Sequence, residues 1–182
     1  MVGTKDVKKE ISSLIEKESQ EVFRNLIQEG EDLYERKDLR EEVLPVIVFR
    51  LSREWYGVEM TKIKEILKKP RITFLPSAPR YIVGIMNLRG NILSVTDLKK
   101  VLGFPQEESS EGTRIIAVES GLLETGFLVD EVVESLEMPV SKIKPVPPST
   151  SPERGKYLEG LFRWGNRLVA LISVEKILEK EI

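Results

Sequence analysis

Apolar and polar positions change rhythm along the chain. Over residues 1–43 the apolar side chains recur at helical spacing: Val7, Ile11, Leu14 and Ile15, then Val22, Leu26 and Ile27, on an otherwise charged surface. That spacing predicts helix, broken at Gly30, resumed over Glu31 to Glu42 and ended by Pro45. From Val46 the texture becomes β-branched and aromatic. VIVFRL (46–51) and WYGVEM (55–60) read as a hairpin, a helical turn is expected at Thr61 to Glu65, and ITFLP (72–76) as a short extended piece. YIVGIMNL (81–88) and ILSV (92–95) flank an Arg89-Gly90-Asn91 turn, and Thr96 or Asp97 caps a short helix, Leu98 to Leu102, stopped by Gly103. A polar linker, PQEESSEGT (105–113), leads to a second hairpin, RIIAVE (114–119) and ETGFLVDEV (124–132), around Gly121. After the Pro/Ser loop VPPSTSPERG (146–155), YLEGLF (157–162) and RLVALI (167–172) flank a Trp164-Gly165-Asn166 turn, and Ser173 caps a last helix, Val174 to Lys180.

The chain repeats itself. Residues 81–102 lie over 157–178 without a gap: Tyr81 meets Tyr157, Gly84 meets Gly160, Lys100 meets Lys176 and Leu102 meets Leu178. Upstream, residues 56–67 lie over 125–136, where Gly57 meets Gly126, Glu65 meets Glu134 and Leu67 meets Leu136. The segment 46–180 is therefore read as two copies of one small β unit, each closed by a short helix, packed together with a groove between them. Gly90 and Asn91 supply the turn chemistry of the first copy, as Gly165 and Asn166 do in the second. Arg89 has no arginine counterpart, because Gly165 occupies its place.

Composition narrows the chemistry. Among 182 residues there is no cysteine and no histidine. This removes thiolate nucleophiles, sulfur-ligated metals and the side chain that titrates near neutrality unaided. The net charge of −2 and the lack of a basic stripe with interleaved aromatics argue against nucleic-acid binding. The N-terminal stretch is too polar for a signal peptide and the apolar run Leu168 to Val174 too short for a bilayer, so the expectation is a cytoplasmic protein without membrane insertion. Asp130 and Glu131 are paired acids, but no second acidic cluster accompanies them, and no catalytic role is assigned. Glu107 to Glu111 reads as a solvated linker.

LPSAPRYIVG running into GIMNLRGNILSVTDL, preceded by WYGVEMTKIKEI and followed by TGFLVDEV, IKPVPP and YLEGLFRWGNRLVALISVEKIL, resembles the CheW family of chemotaxis coupling proteins over about 46–180. The resemblance implies a mainly β domain at 45–182; the helical N-terminal extension, 1–44, is read from its apolar spacing and is one that the typical coupling domain lacks. The domain would hold two pseudo-symmetric five-stranded barrels, roughly 46–105 and 112–180, around a shared core, with terminal elements that can cross between them. It implies no catalysis and no cofactor. The implied partners are the cytoplasmic hairpin tip of chemoreceptors and the regulatory domain of the histidine kinase CheA. The same domain occurs within CheA, which needs a phosphoacceptor histidine, and in CheV-type proteins, which need a receiver domain; neither is read in these residues, so a stand-alone coupler is expected. The alternative is a CheW-like adaptor of a motility or developmental pathway, with the N-terminal helices as its specific arm.

The resemblance also implies site residues. Glu65 and Arg89 would pair beside the receptor groove, and Arg89 is either architecture or also a partner contact. Ile63 is either ordinary core or an exposed groove residue, with Arg114 and Val132 as further groove candidates. Met60, Ile72 and Phe74 are assigned to the kinase-facing surface of the first unit, the last two with core as the alternative. Lys144, Pro148 and Ser149 belong to the long loop of the second unit, the second kinase contact; Ser149 stands where some members carry an aromatic anchor. The apolar stripe of residues 1–43 requires burial. It docks on its own domain, mediates self-association with a second copy, or serves as a partner-binding arm.

Overall fold

The first β-branched run forms β1, Val43–Leu51, which turns at Ser52 into β2, Glu54–Glu59. The computed structural model describes residues 41–68, 70–105 and 112–181. The expected helices up to residue 40 and most of the linker after Pro105 lie outside the described residues. Pro45 does not end a helix; it lies inside β1, where the pairing with β2 has not yet begun and β8 is the one neighbouring strand among the described residues. A 3-10 turn, Met60–Lys62, replaces the expected helical turn, and Ile63–Lys68 is a strand, β3. Its alternation of half-buried and exposed positions, Ile63, Glu65 and Leu67 against Lys64, Ile66 and Lys68, is a strand period.

The chain continues with β4 (Ile82–Leu88), β5 (Asn91–Asp97) and the short helix α1 (Leu98–Val101). Asp97 caps that helix, its side chain accepting from the N–H groups of Lys99 and Lys100, and Gly103 closes it at φ 72°. Next come β6 (Arg114–Ser120), β7 (Leu123–Val129) and β8 (Glu131–Pro139). The expected single strand over 124–132 is broken at Asp130, and β8 runs on to Pro139. The Pro/Ser loop holds a four-residue helix, α2 (Pro152–Gly155), before β9 (Leu158–Trp164), β10 (Arg167–Ile172) and α3 (Val174–Lys180).

The repeat does not fold copy by copy. One sheet has the order β8-β1-β2-β10-β9 and the other β3-β6-β7-β5-β4. Each takes its first hairpin from one copy and its remaining three strands from the other, so the two sheets match strand for strand with the copies interleaved. Among the described residues, the only parallel neighbours in both lie where the copies meet, β2 with β10 and β7 with β5. The expected closed barrels are corrected to two curled, open sheets, whose edge strands, β8 and β9 in one and β3 and β4 in the other, do not pair.

Alternation sorts the side chains into three layers. Val46, Val48, Met138, Phe162, Val169 and Leu171 fill the concave side of the first sheet. Met86, Leu93, Val95, Ile115 and Ala117 fill that of the second. Between the sheets, Phe49, Leu51, Tyr56, Val58, Ile116, Val118, Phe127 and Val129 join α1 and α3 in a shared core. The matched glycines are demanded by this curl. A Cβ on Gly57 or Gly126 would lie 2.7 Å from Val46 or Ile115. One on Gly84 or Gly160 would lie 2.3 or 2.8 Å from the carbonyl oxygen of Thr73 or Lys144. At those two glycines a segment crosses the sheet edge and bridges it, Thr73 to Ile85 and Lys144 to Leu161.

Candidate protein-binding site

Glu65 lies on edge strand β3 and Arg89 in the β4–β5 turn, beyond the opposite edge of the same sheet. Curling brings the two together: Arg89 Nη2 sits 3.0 Å from Glu65 Oε2. A side-chain ion pair thus links edges that backbone hydrogen bonding leaves open. The pair lies at the surface, with the Arg89 side chain 79% exposed, so its contribution to stability is about 0.2–1 kcal/mol. Arg89 also adopts φ 54°, the left-handed region, where its repeat counterpart Gly165 has φ 59°. A non-glycine residue costs about 1–2 kcal/mol there. Asn87 relieves part of the turn by accepting from the Gly90 N–H at 2.9 Å.

Ile63 begins β3 and is half-buried, packed against the shared core, as is Val132 on β8 of the other sheet. The two approach the same core from different sheets. Arg114 does not join them. Ile63 pairs with Val118 at one end of β6, whereas Arg114 pairs with Lys68 at the other, and its guanidinium turns back onto the Gly112 and Thr113 carbonyls.

Of the residues assigned to kinase contact, Met60 and Phe74 are exposed, Phe74 at 74%, while Ile72 is half-buried against the concave layer of its sheet. Lys144, Pro148 and Ser149 are exposed. Thr73, between Ile72 and Phe74, and Lys144 occupy equivalent bridges of the two sheets, so the two assigned surfaces are related by the internal pseudo-symmetry. Ser149 lines a cleft of about 480 Å³ with Trp55, Leu161, Leu168 and Arg154. Sequence reasoning missed Leu168 and its counterpart Ile92, the first apolar residues after the two hairpin turns, 56% and 73% exposed. Their signal was the repeat itself, which places an aliphatic side chain at the same point of both copies.

Sequence reasoning also missed the polar groups that hold this surface. Lys62, immediately before Ile63, donates to the Glu175 carboxylate of α3, which also accepts from Ser120 Oγ at 3.0 Å. Burial alone would push the Glu175 carboxyl up; the hydrogen bonds from Lys62, from its own backbone N–H and from Ser120, with the Lys62 charge, outweigh it and hold the group below its ordinary value. The Lys62 ammonium is raised by its hydrogen bond to Glu175. Elsewhere, burial and the acceptor Glu54 push the Tyr56 phenol far above its usual value. Lys99 and Asp130 form a buried pair at 2.9 Å, and Asp130 takes the Ser52 N–H at 2.6 Å. Among the described residues no group of three or more His, Cys, Asp or Glu side chains is placed to hold a metal, and no helix is long and apolar enough to cross a membrane.

Solved structures contain the same arrangement. Scaffolding protein TtCheW from Thermoanaerobacter tengcongensis superposes with a TM-score of 0.69 at 34% identity, covering 73% of this chain and 90% of that one. Paired curled sheets with interleaved copies therefore define a scaffold domain of the chemotaxis type. The chain is 31% identical to a chemotaxis protein CheW of Helicobacter pylori over 159 residues, covering 82% of this chain and 96% of that protein. It is 32% identical to the one of Bacillus subtilis over 136 residues, covering 75% and 87%. The family model of the CheW-like domain matches residues 38–181, and the chain belongs to that family.

Proposed function

We propose that this chain is a non-enzymatic adaptor of chemotaxis signal transduction, coupling the cytoplasmic hairpin tips of chemoreceptors to the regulatory domain of the histidine kinase CheA. Membership of the CheW-like family supports the scaffold role. The observation that carries the receptor contact is Arg89. It is held in a left-handed conformation that glycine fills in the second copy, and it is tied to Glu65 across the open sheet edge. A strained, exposed arginine in a turn points to a binding role. Ile63 and Val132 offer the apolar part of this contact, while Arg114 is at most a remote contributor. Met60, Ile72 and Phe74 on one sheet, and Lys144, Pro148 and Ser149 on the other, are the proposed kinase surfaces. The adaptor works in the cytoplasm.

Pull-down on immobilised kinase regulatory domain and on receptor tips, with Arg89→Gly beside the parent, tests this reading. Glycine removes the guanidinium and relieves the left-handed strain, so the variant should fold at least as well while losing receptor binding and keeping kinase binding. Retention of receptor tips at parental affinity would remove Arg89 from the contact, and failure of the parent on both baits would overturn the coupling role.

A further inference from the structure

Helix α3 leaves β10 of the first sheet and lies on the second. Val174, Ile177 and Leu178 share the core with Val118 and Phe127. Its seven residues span about 10 Å and are fastened at both ends by side chains of the second sheet and of the segments leading into β3 and β4. In the first turn Glu175 meets Lys62 and Ser120. At the other end the Tyr81 hydroxyl donates to the Lys180 carbonyl at 3.0 Å, and the Lys180 ammonium lies 4.9 Å from the Tyr81 ring centre. The next residue, Glu181, sets its carboxylate against three hydroxyls of the sheet. It accepts from Ser94 Oγ at 2.9 Å and from Thr96 Oγ1. Strand register puts Ser94, Thr125, Val118 and Ile63 in one row across the sheet, so α3 is fastened at two points of the surface that carries Ile63.

The hydroxyls that receive Glu181 need no carboxylate to remain satisfied. Thr125 Oγ1 lies 2.8 Å from Ser94 Oγ and 3.0 Å from Thr96 Oγ1, and it donates to the Ser94 carbonyl at 3.2 Å. Thr96 and Thr125 are fully buried. When Glu181 withdraws, the Ser94 and Thr96 protons rotate onto the two lone pairs of Thr125 Oγ1, whose own proton stays on the Ser94 carbonyl. No buried hydroxyl is stranded, and the half-exposed carboxylate gains water in exchange. The body of α3 is held separately, by three apolar side chains that are 2% exposed or less. A docked and a released arrangement are therefore both free of unsatisfied buried groups.

We propose that Glu181 is a releasable latch, docking into the Ser94, Thr96 and Thr125 hydroxyl cluster to clamp the last turn of α3 and Tyr81, and leaving without unfolding the domain. Thr125 is the residue that makes release cheap. Neither statement depends on what the chain binds.

Amide hydrogen exchange and thermal melting of the full chain test this. In Glu181→Ala, exchange in the last turn of α3 and around Tyr81 should rise about tenfold, the factor given by roughly 1.4 kcal/mol of lost fastening. The melting temperature should fall by no more than about 5 °C, the same loss read globally. Thr96→Val, which removes one donor to the latch, should accelerate the same amides. In a Thr125→Val background, where the released protons have no acceptor, Glu181→Ala should lower the melting temperature by clearly more than it does alone. Unchanged exchange in the last turn, or an equal melting penalty in both backgrounds, would overturn the latch.

Discussion

Replacing Lys99 by methionine perturbs the point where the chain passes from one sheet to the other. Asp130 separates β7 of the second sheet from β8 of the first. One of its oxygens meets the Lys99 ammonium of α1 at 2.9 Å, the other meets the N–H of Ser52 in the β1–β2 turn at 2.6 Å, and both charged side chains are about 10% exposed. Methionine keeps most of the volume of lysine and takes the Lys99 charge away from the buried Asp130 carboxylate. Breaking such a pair from one side costs about 3–5 kcal/mol; the residual exposure places this site near ~3 kcal/mol. For a domain of this size that corresponds to a fall of about 10 °C in melting temperature. Lys99→Met/Asp130→Leu removes both charges and should be less destabilised than the sum of its single variants, by about 1–3 kcal/mol. Urea unfolding of the parent, both singles and the double, with unchanged m-values, measures this. A loss below about 1 kcal/mol for Lys99→Met, or strict additivity, would refute the argument that this pair holds the crossover.

Gly160→Ala should destabilise by about 1–3 kcal/mol, because its Cβ meets Ile143 at 2.7 Å and the bridging segment must lift; Gly155→Ala, with its nearest neighbours at 3.8 Å, should be neutral or stabilising in the same melts. Ile63→Glu should fold, since Ile63 is only half-buried, but should bind receptor tips more weakly; parental affinity in a sedimentation assay would exclude Ile63 from the contact. Lys62→Met should cost about 0.2–1 kcal/mol near neutrality. The Glu175 carboxyl is held low in the fold, so its share is complete above about pH 4.3, the ordinary glutamate value, and disappears as pH falls through the lower folded value. Lys62 is held high, so its share persists below about pH 10.4 and is lost as pH rises through the folded value. The difference between Lys62→Met and parent should therefore be flat from about pH 5.5 to 9 and close in acid; a difference that grows in acid would contradict the pairing.

The sequence by itself determined the local elements and the family. Strand alternation, the Asp97 cap and the glycine turns are short-range consequences of backbone sterics and side-chain period, and they are legible in windows of a few residues. The repeat, with its matched glycines, was equally legible, and so was the joining of Glu65 to Arg89, which came through the family resemblance. What tertiary structure decided is how the copies share strands. A hairpin buries its apolar face against whichever three strands complete its sheet, and the partners from its own copy and from the other copy present nearly the same pattern. Local sequence therefore does not choose between them, and the choice to interleave rests on the packing of three core layers at once. Proline at position 45 misled for a related reason. It is a helix breaker in a helical window, yet it is compatible with a strand where, among the described residues, no second neighbour needs its missing N–H. The Asp130 crossover and the Glu181 latch depend on groups 31 to 87 residues apart in sequence. No periodicity records such contacts; they exist only once the sheets have curled and the helices have crossed onto them.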